Sequence, residues 1–212
     1  RVELVEDVHA AFERVRLIER EEGRTFVHPF EGPGTALGTA SVGMELLDQV
    51  RADGGTLDAV IVAVGGGGLS AGLAAYVKQL SPSTSVFAVE PEGADSLRRS
   101  LDAGEPRRIE TVRTIADSLG APFCEPYSFA LNQRYLDDAV LVSDGQIREA
   151  MRLLFRAAKL VTEPGGAAAL AALMYPLRDR LEGRRVGVVV CGGNVDHETF
   201  GRHLAGDPGP AA

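Results

Sequence analysis

The chain has 212 residues, 45% hydrophobic and 25% charged, the ordinary balance of one large globular domain or a domain and a part. A net charge of −8 argues against nucleic acid or an anionic membrane as a default partner, and no apolar run is long enough to span a bilayer. Cys124 and Cys191 form neither a CxxC pair nor a disulfide framework, so a reducing cytoplasm is the expected compartment.

Val8, Ala11, Phe12, Val15 and Ile18 recur at helical spacing and predict an amphipathic helix over about 5–21. Thr25–His28 reads as a short strand stopped by Pro29. The Gly/Pro-rich stretch from Glu31 to Gly38 reads as a loop leading into a helix near 39–51. Ala59–Val64 is apolar without alternation, the pattern of a parallel strand covered on both faces. A helix carrying Leu69, Leu73, Tyr76, Val77 and Leu80 follows it. Ser85–Val89 is a strand and Ala94–Ala103 a helix. Residues 104–137, broken by Pro106, Pro122 and Pro126, read as loops and short helices. Asp138–Val142 is another strand, and Ser143 with Gln146 three residues on predicts a capping box. Gly165–Leu173 is an Ala-rich helix suited to close packing. Arg185–Val190 is the last strand, turned by Cys191-Gly192-Gly193-Asn194, and the tail from Asp207 reads as disordered.

Strand alternating with helix predicts an α/β fold with a doubly wound, mostly parallel sheet. Ligands in such sheets sit outside the carboxyl ends of the strands. Two turns lie at such ends, Gly65-Gly66-Gly67-Gly68-Leu69 and Cys191–Asn194, and both are expected to border one site. A glycine run between strand and helix exposes a nest of amide N–H groups at the positive end of a helix dipole, which suits a phosphate. It lacks the Lys-Ser/Thr of a Walker loop. The alternative is a tight turn whose small residues let strand and helix pack closely.

The segments AVGGGGLSAG, VEPEGADS, TEPGGAAALAAL and VVVCGGNVD, in this order, resemble the large domain of the fold-type II pyridoxal-phosphate enzymes (the tryptophan-synthase-β-like fold). Phe26-Val27-His28-Pro29-Phe30 before them and Thr114–Asp117 between them narrow the likeness to the serine/threonine dehydratase and serine racemase group. The resemblance runs from about Val2 to Asp196. It implies that the amides of Gly65, Gly66, Gly67, Gly68 and Leu69 hold the phosphate of pyridoxal 5′-phosphate. It implies that Cys191 faces the pyridine nitrogen, where the other reading is a buried structural cysteine. Glu90 and the carbonyl of Ala94 stand where relatives bind a divalent cation. Ser96 replaces an acid there, so a monovalent ion, no ion, or a Glu90 that only caps a turn are the alternatives. Glu163 is expected to shape the pocket, and Ser118 and the stretch Thr35–Ser41 depart from the family pattern.

Pyridoxal chemistry also needs a Schiff-base lysine. Lys78 and Lys159 are the only lysines, and neither stands in the family's context. Surface solvation is expected for Lys78 and partial burial for Lys159. No catalytic residue is therefore assigned, and His9, His28, His197 and His203 have no metal-ligand spacing. The resemblance implies a remnant of a small domain over 1–23, a partial cofactor-binding domain over 24–203 and a flexible tail over 204–212. A missing N-terminal segment or second polypeptide would supply the lysine, and a homo-oligomer is expected. The implied function is dehydration and deamination of L-threonine, L-serine or a related β-hydroxy amino acid. The alternatives are a serine racemase-like enzyme and a non-catalytic phosphate-binding module.

Overall fold

Every residue of strand β1, Ala59–Ala63, is buried, and the rest of the fold is arranged around it. The structure is a computed structural model that describes residues 1–6 and 8–205. The helices are α1 Val8–Glu22, α2 Pro33–Ala52, α3 Gly68–Leu80, α4 Ser96–Ala103, α5 Pro126–Tyr135, α6 Asp144–Leu153, α7 Pro164–Met174 and α8 His197–Ala205. The other strands are β2 Ser85–Pro91, β3 Asp138–Val142 and β4 Val186–Val188. All pairings are parallel, in the order β3-β2-β1-β4.

β1 shows no alternation because it is covered twice. Ala59, Ile61 and Ala63 pack with α6, α7 and α8, while Val60 and Val62 pack with α2 and α3. The Ala-rich α7 packs tightly, as its composition predicts: Ala167, Ala168, Ala169, Ala171 and Ala172 are wholly buried. The Ser143/Gln146 capping box forms in both directions. Among the described residues no helix is long and apolar enough to cross a membrane.

Several elements differ from expectation. The helix expected near 39–51 begins at Pro33, because proline at the first helical turn has no N–H to lose and its φ already suits a helix. The strand expected over Thr25–His28 has no ladder partner among the described residues. Its Phe26 and His28 rings instead pack on Phe12 of α1. The broken stretch 104–137 contains a full helix, α5, with Pro126 in its first turn. β4 is shorter than Arg185–Val190. A π-helical turn, Leu154–Ala158, follows α6 and ends at Lys159 with φ 58°. The tail expected from residue 204 starts inside α8, and its remainder lies outside the described residues.

α2 and α3 cross in close contact. Thr39 Oγ1 donates to the Gly68 carbonyl at 2.9 Å. A methyl group on Gly72 would meet the Ala36 carbonyl at 2.2 Å and the Ala40 nitrogen at 2.7 Å. That approach fixes where α3 begins, and hence where the glycine run sits.

Glu90, near the end of β2, is wholly buried, and its two oxygens accept the Leu97 and Arg98 amides at 2.8 Å each, capping α4. Burial pushes its carboxyl up to about 8, against the opposing pull of those amides. The native state then keeps the proton up to about 8, whereas the unfolded chain releases it near 4.5. Between those values the unfolded state binds fewer protons, so folding stability falls as pH rises.

Gly72→Ala is expected to destabilise the chain by about 2–3 kcal/mol through backbone overpacking. Gly38→Ala, in α2 with nothing within 4 Å of the new methyl, is expected to be neutral or to stabilise by up to about 1 kcal/mol. Urea unfolding measures both. The same titrations at pH 5 and pH 8.5 are expected to show a loss of the order of a few kcal/mol in the native chain that Glu90→Gln does not show.

Candidate active site

The strand order reverses direction beside β1. From β1 the chain steps to β2 and β3 on one side, then returns to place β4 on the other. At such a switch point the two flanking loops part and leave a crevice at the carboxyl ends of the strands. The loop after β1 is Gly65–Gly68, and the loop after β4 carries Cys191–Asn194. The two turns singled out in the sequence therefore do flank one position in the sheet.

The amides of Gly65, Gly66, Gly67, Gly68, Leu69 and Ser70 have no hydrogen-bond acceptor among the described residues, and the first amide to be paired is Ala71, with the Gly67 carbonyl at 3.0 Å. A helix leaves its first amides unpaired, and the preceding glycines extend that set back to the end of β1. Protein atoms fill the places where side chains would stand. A methyl on Gly66 would lie 2.2 Å from the Phe30 ring, and one on Gly68 2.6 Å from Phe30 Cα. On Gly67, whose φ is +86°, it would lie 2.7 Å from Asn132 Nδ2, and on Gly65 3.1 Å from the Ser118 carbonyl. The run is thus glycine for two reasons: it frees the amides on one side, and it admits Phe30, Asn132 and the 118–119 turn on the other.

Across the crevice, the Glu163 amide donates to the Gly192 carbonyl at 3.2 Å, and Glu163 Oε2 accepts the Asn194 amide at 3.0 Å. Glu163 also sits at the start of α7, whose Gly165 faces Ser118. The turn 117–119 therefore touches both the glycine run and α7, closing the rim. Cys191 is partly buried, and its thiol is pushed up first by burial and then by the nearby Glu163 carboxylate. It is a neutral S–H at neutral pH.

Glu90 and Ala94 lie at the neighbouring β2–α4 junction. The Ala94 amide donates to the Pro91 carbonyl at 2.9 Å, and the Ser96 hydroxyl donates to the Ala121 carbonyl at 3.1 Å. Among the described residues no group of three or more His, Cys, Asp or Glu is placed to hold a metal ion. Lys78 lies ten residues along α3 from Gly68, about 15 Å away at a helical rise. There it is not simply solvated but pairs with Asp137 at 2.8 Å. Lys159 is exposed rather than partly buried, and it donates to the Arg156 carbonyl at 2.9 Å.

Phe30, Glu31, Ser128 and Asn132 were not singled out in the sequence as site residues. Phe30 belongs to an aromatic cluster with Phe12, His28 and Phe123, at ring-centroid distances of 5.9, 4.7 and 5.9 Å. A buried Asn one turn after a buried Ser on α5 was the available signal for the other pair.

The donor set fits the cofactor that the sequence resemblance implies. Six neutral amides at a helix N-terminus suit a phosphate dianion. A neutral thiol suits an unprotonated ring nitrogen better than a carboxylate would.

Residues 1–192 match the family described as pyridoxal-phosphate dependent enzyme. The chain is 53% identical over 203 residues to phenylserine dehydratase of Ralstonia pickettii, covering 96% of this chain and 61% of that protein. The crystal structure of the T.th. threonine deaminase superposes with a TM-score of 0.87 at 39% identity, over 92% of this chain and 63% of the other. Maize serine racemase gives 0.85 at 31% identity, over 95% and 62%. The chain spans about six tenths, or less, of the length of the curated relatives it matches. With its parallel sheet, its free amides at the switch point and these matches, the chain belongs to the fold-type II pyridoxal-phosphate dependent enzymes, in the group of the serine/threonine dehydratases and serine racemases.

Proposed function

We propose that the complete protein is an ammonia-lyase. It would convert a β-hydroxy amino acid with an aromatic β-substituent, ahead of threonine or serine, to the 2-oxo acid and ammonia. Water is lost from Cα–H and Cβ–OH and regained when the nitrogen leaves, so the net products are those two. The observation that carries the reading is the crevice between β1 and β4, with free amides on one wall and a neutral thiol on the other. The aromatic preference rests on the likeness to a phenylserine dehydratase.

In this reading, bound pyridoxal phosphate supplies an electron sink for the pair left at Cα. The amides of Gly65, Gly66, Gly67, Gly68 and Leu69 anchor its phosphate. The neutral Cys191 thiol would face the ring nitrogen as a weak donor and would not impose a full positive charge on it, which would favour elimination over transamination. Glu163 holds the Cys191–Asn194 turn at the right height through the Asn194 amide. The α-proton would be taken by a lysine contributed by a further segment or a second polypeptide. The Val188–Val190 edge and the exposed Leu37, Val42 and Met44 of α2 are apolar surface for that part to cover. A cation at Glu90 and the Ala94 carbonyl would have to displace both an amide and the proton from the Glu90 carboxyl. A cytoplasmic location and a homo-oligomer complete it.

The test pairs this chain with the N-terminal part of the Ralstonia pickettii relative and supplies pyridoxal phosphate. Ammonia and 2-oxo acid are then measured from phenylserine, threonine and serine. Release fastest from phenylserine supports the reading. D-amino acid formed without ammonia would replace it with a racemase, and an inert, cofactor-binding pair would favour a non-catalytic module. Phe30→Ala removes the ring that packs on Gly66 from behind the loop, and it is expected to weaken binding of pyridoxal phosphate about tenfold while leaving the order of the three substrates unchanged, as measured on the same pair.

A further inference from the structure

We propose that Asn132 is a positioning residue that holds the glycine loop in its phosphate-binding shape, acting through the carbonyl of Gly67. The proposal rests on the reading of Gly65–Leu69 as the phosphate cradle.

The Gly67 carbonyl is the pivot of the loop. It accepts the Ala71 amide at 3.0 Å, the Ser70 hydroxyl at 3.1 Å and Asn132 Nδ2 at 2.9 Å. The first two donors belong to α3 itself. Asn132 comes from α5, 65 residues away, and is the tertiary tie. A peptide's carbonyl and N–H point in opposite directions, so pinning the Gly67 carbonyl into α3 and α5 turns the Gly68 amide the other way, into the crevice. Without the tie, the left-handed Gly67, with φ +86°, is a hinge at which a glycine turns at little cost.

Asn132 is wholly buried, and its Oδ1 has no hydrogen-bond partner among the described residues. A buried amide oxygen without a donor is unfavourable, and a leucine of similar volume would avoid it. The side chain is therefore not explained by packing; what it adds is the Nδ2 donor. Its placement is set from outside α5. The Glu31 carboxylate accepts the Tyr127 and Ser128 amides at 2.8 and 2.9 Å, and the Ser128 hydroxyl donates to the Phe30 carbonyl. The helix that carries Asn132 is thus tied to the same Phe30 that packs on Gly66 and Gly68.

The experiment measures binding of pyridoxal phosphate and of pyridoxal, which lacks the phosphate, to the full chain and to Asn132→Leu and Asn132→Ala. Melting temperature is followed alongside. Leucine keeps the volume and removes the donor; alanine removes both, so a folding defect in one variant leaves the other to carry the test. The native chain is expected to prefer pyridoxal phosphate by about a hundredfold or more. Both variants are expected to bind it about tenfold more weakly, with pyridoxal affinity unchanged. A preference retained in the variants would show that Asn132 is idle. Loss of both ligands together with the melting temperature would show a structural role only. A native chain that does not distinguish the two ligands would overturn the cradle reading and this proposal with it.

Discussion

A packed protein cannot leave six successive amides without acceptors unless something else meets them. Gly65 to Ser70 are in that position, at the end of a strand buried on both faces. The rest of the fold can be read as the means of keeping them there. β1 must end inside the sheet rather than at its edge, which requires neighbours on both sides. The strand order β3-β2-β1-β4 supplies them and opens the crevice in the same step. α3 must start at once, so α2 presses against it at Gly72 and Thr39 ties it at Gly68.

The electrostatics follow the same demand. The chain carries a net charge of −8, yet the groups facing the crevice from the glycine run and from Cys191 are neutral donors. A dianion bound there would be met by dipoles alone, which costs less desolvation on the protein side than burying lysines or arginines would. Arginines are spent elsewhere. Arg180 stacks over Phe87 at 4.5 Å and pairs with Asp138, and Arg108 stacks over Phe123 at 4.4 Å. Glu90 is the buried acid nearest this region, and its two oxygens are taken up by α4.

Much of this was legible in the sequence, for physical reasons. A run of buried apolar residues marked β1, periodicity marked α3, and Ser143 with Gln146 marked the start of α6. The glycine and cysteine turns could be placed at strand ends because the alternation of elements already implied a parallel sheet. Other features were not legible because their cause is tertiary. Pro33 and Gly34 look like loop residues until proline is seen at the first turn, and Pro126 hid α5 in the same way. Lys78 looks like a surface residue until Asp137, 59 positions away, is brought beside it. The reason for four glycines was half visible. Free amides could be inferred from the strand-turn-helix pattern, but the approach of Phe30 and Asn132 depends on a long-range fold.

That long-range fold joins two properties which the sequence presents as separate. The His28–Glu31 segment carries the aromatic ring that abuts Gly66, and its Glu31 caps α5. α5 in turn carries the amide that pins Gly67. Phe30 and Asn132 press on adjacent glycines of one loop. A shift of α5 by even a few tenths of an ångström would be felt at both contacts, since interiors packed this closely transmit displacement rather than absorb it. Any grip of these amides on a phosphate would therefore depend on both contacts at once. A change that removes packing at Phe30 also relaxes the loop from which the amides project.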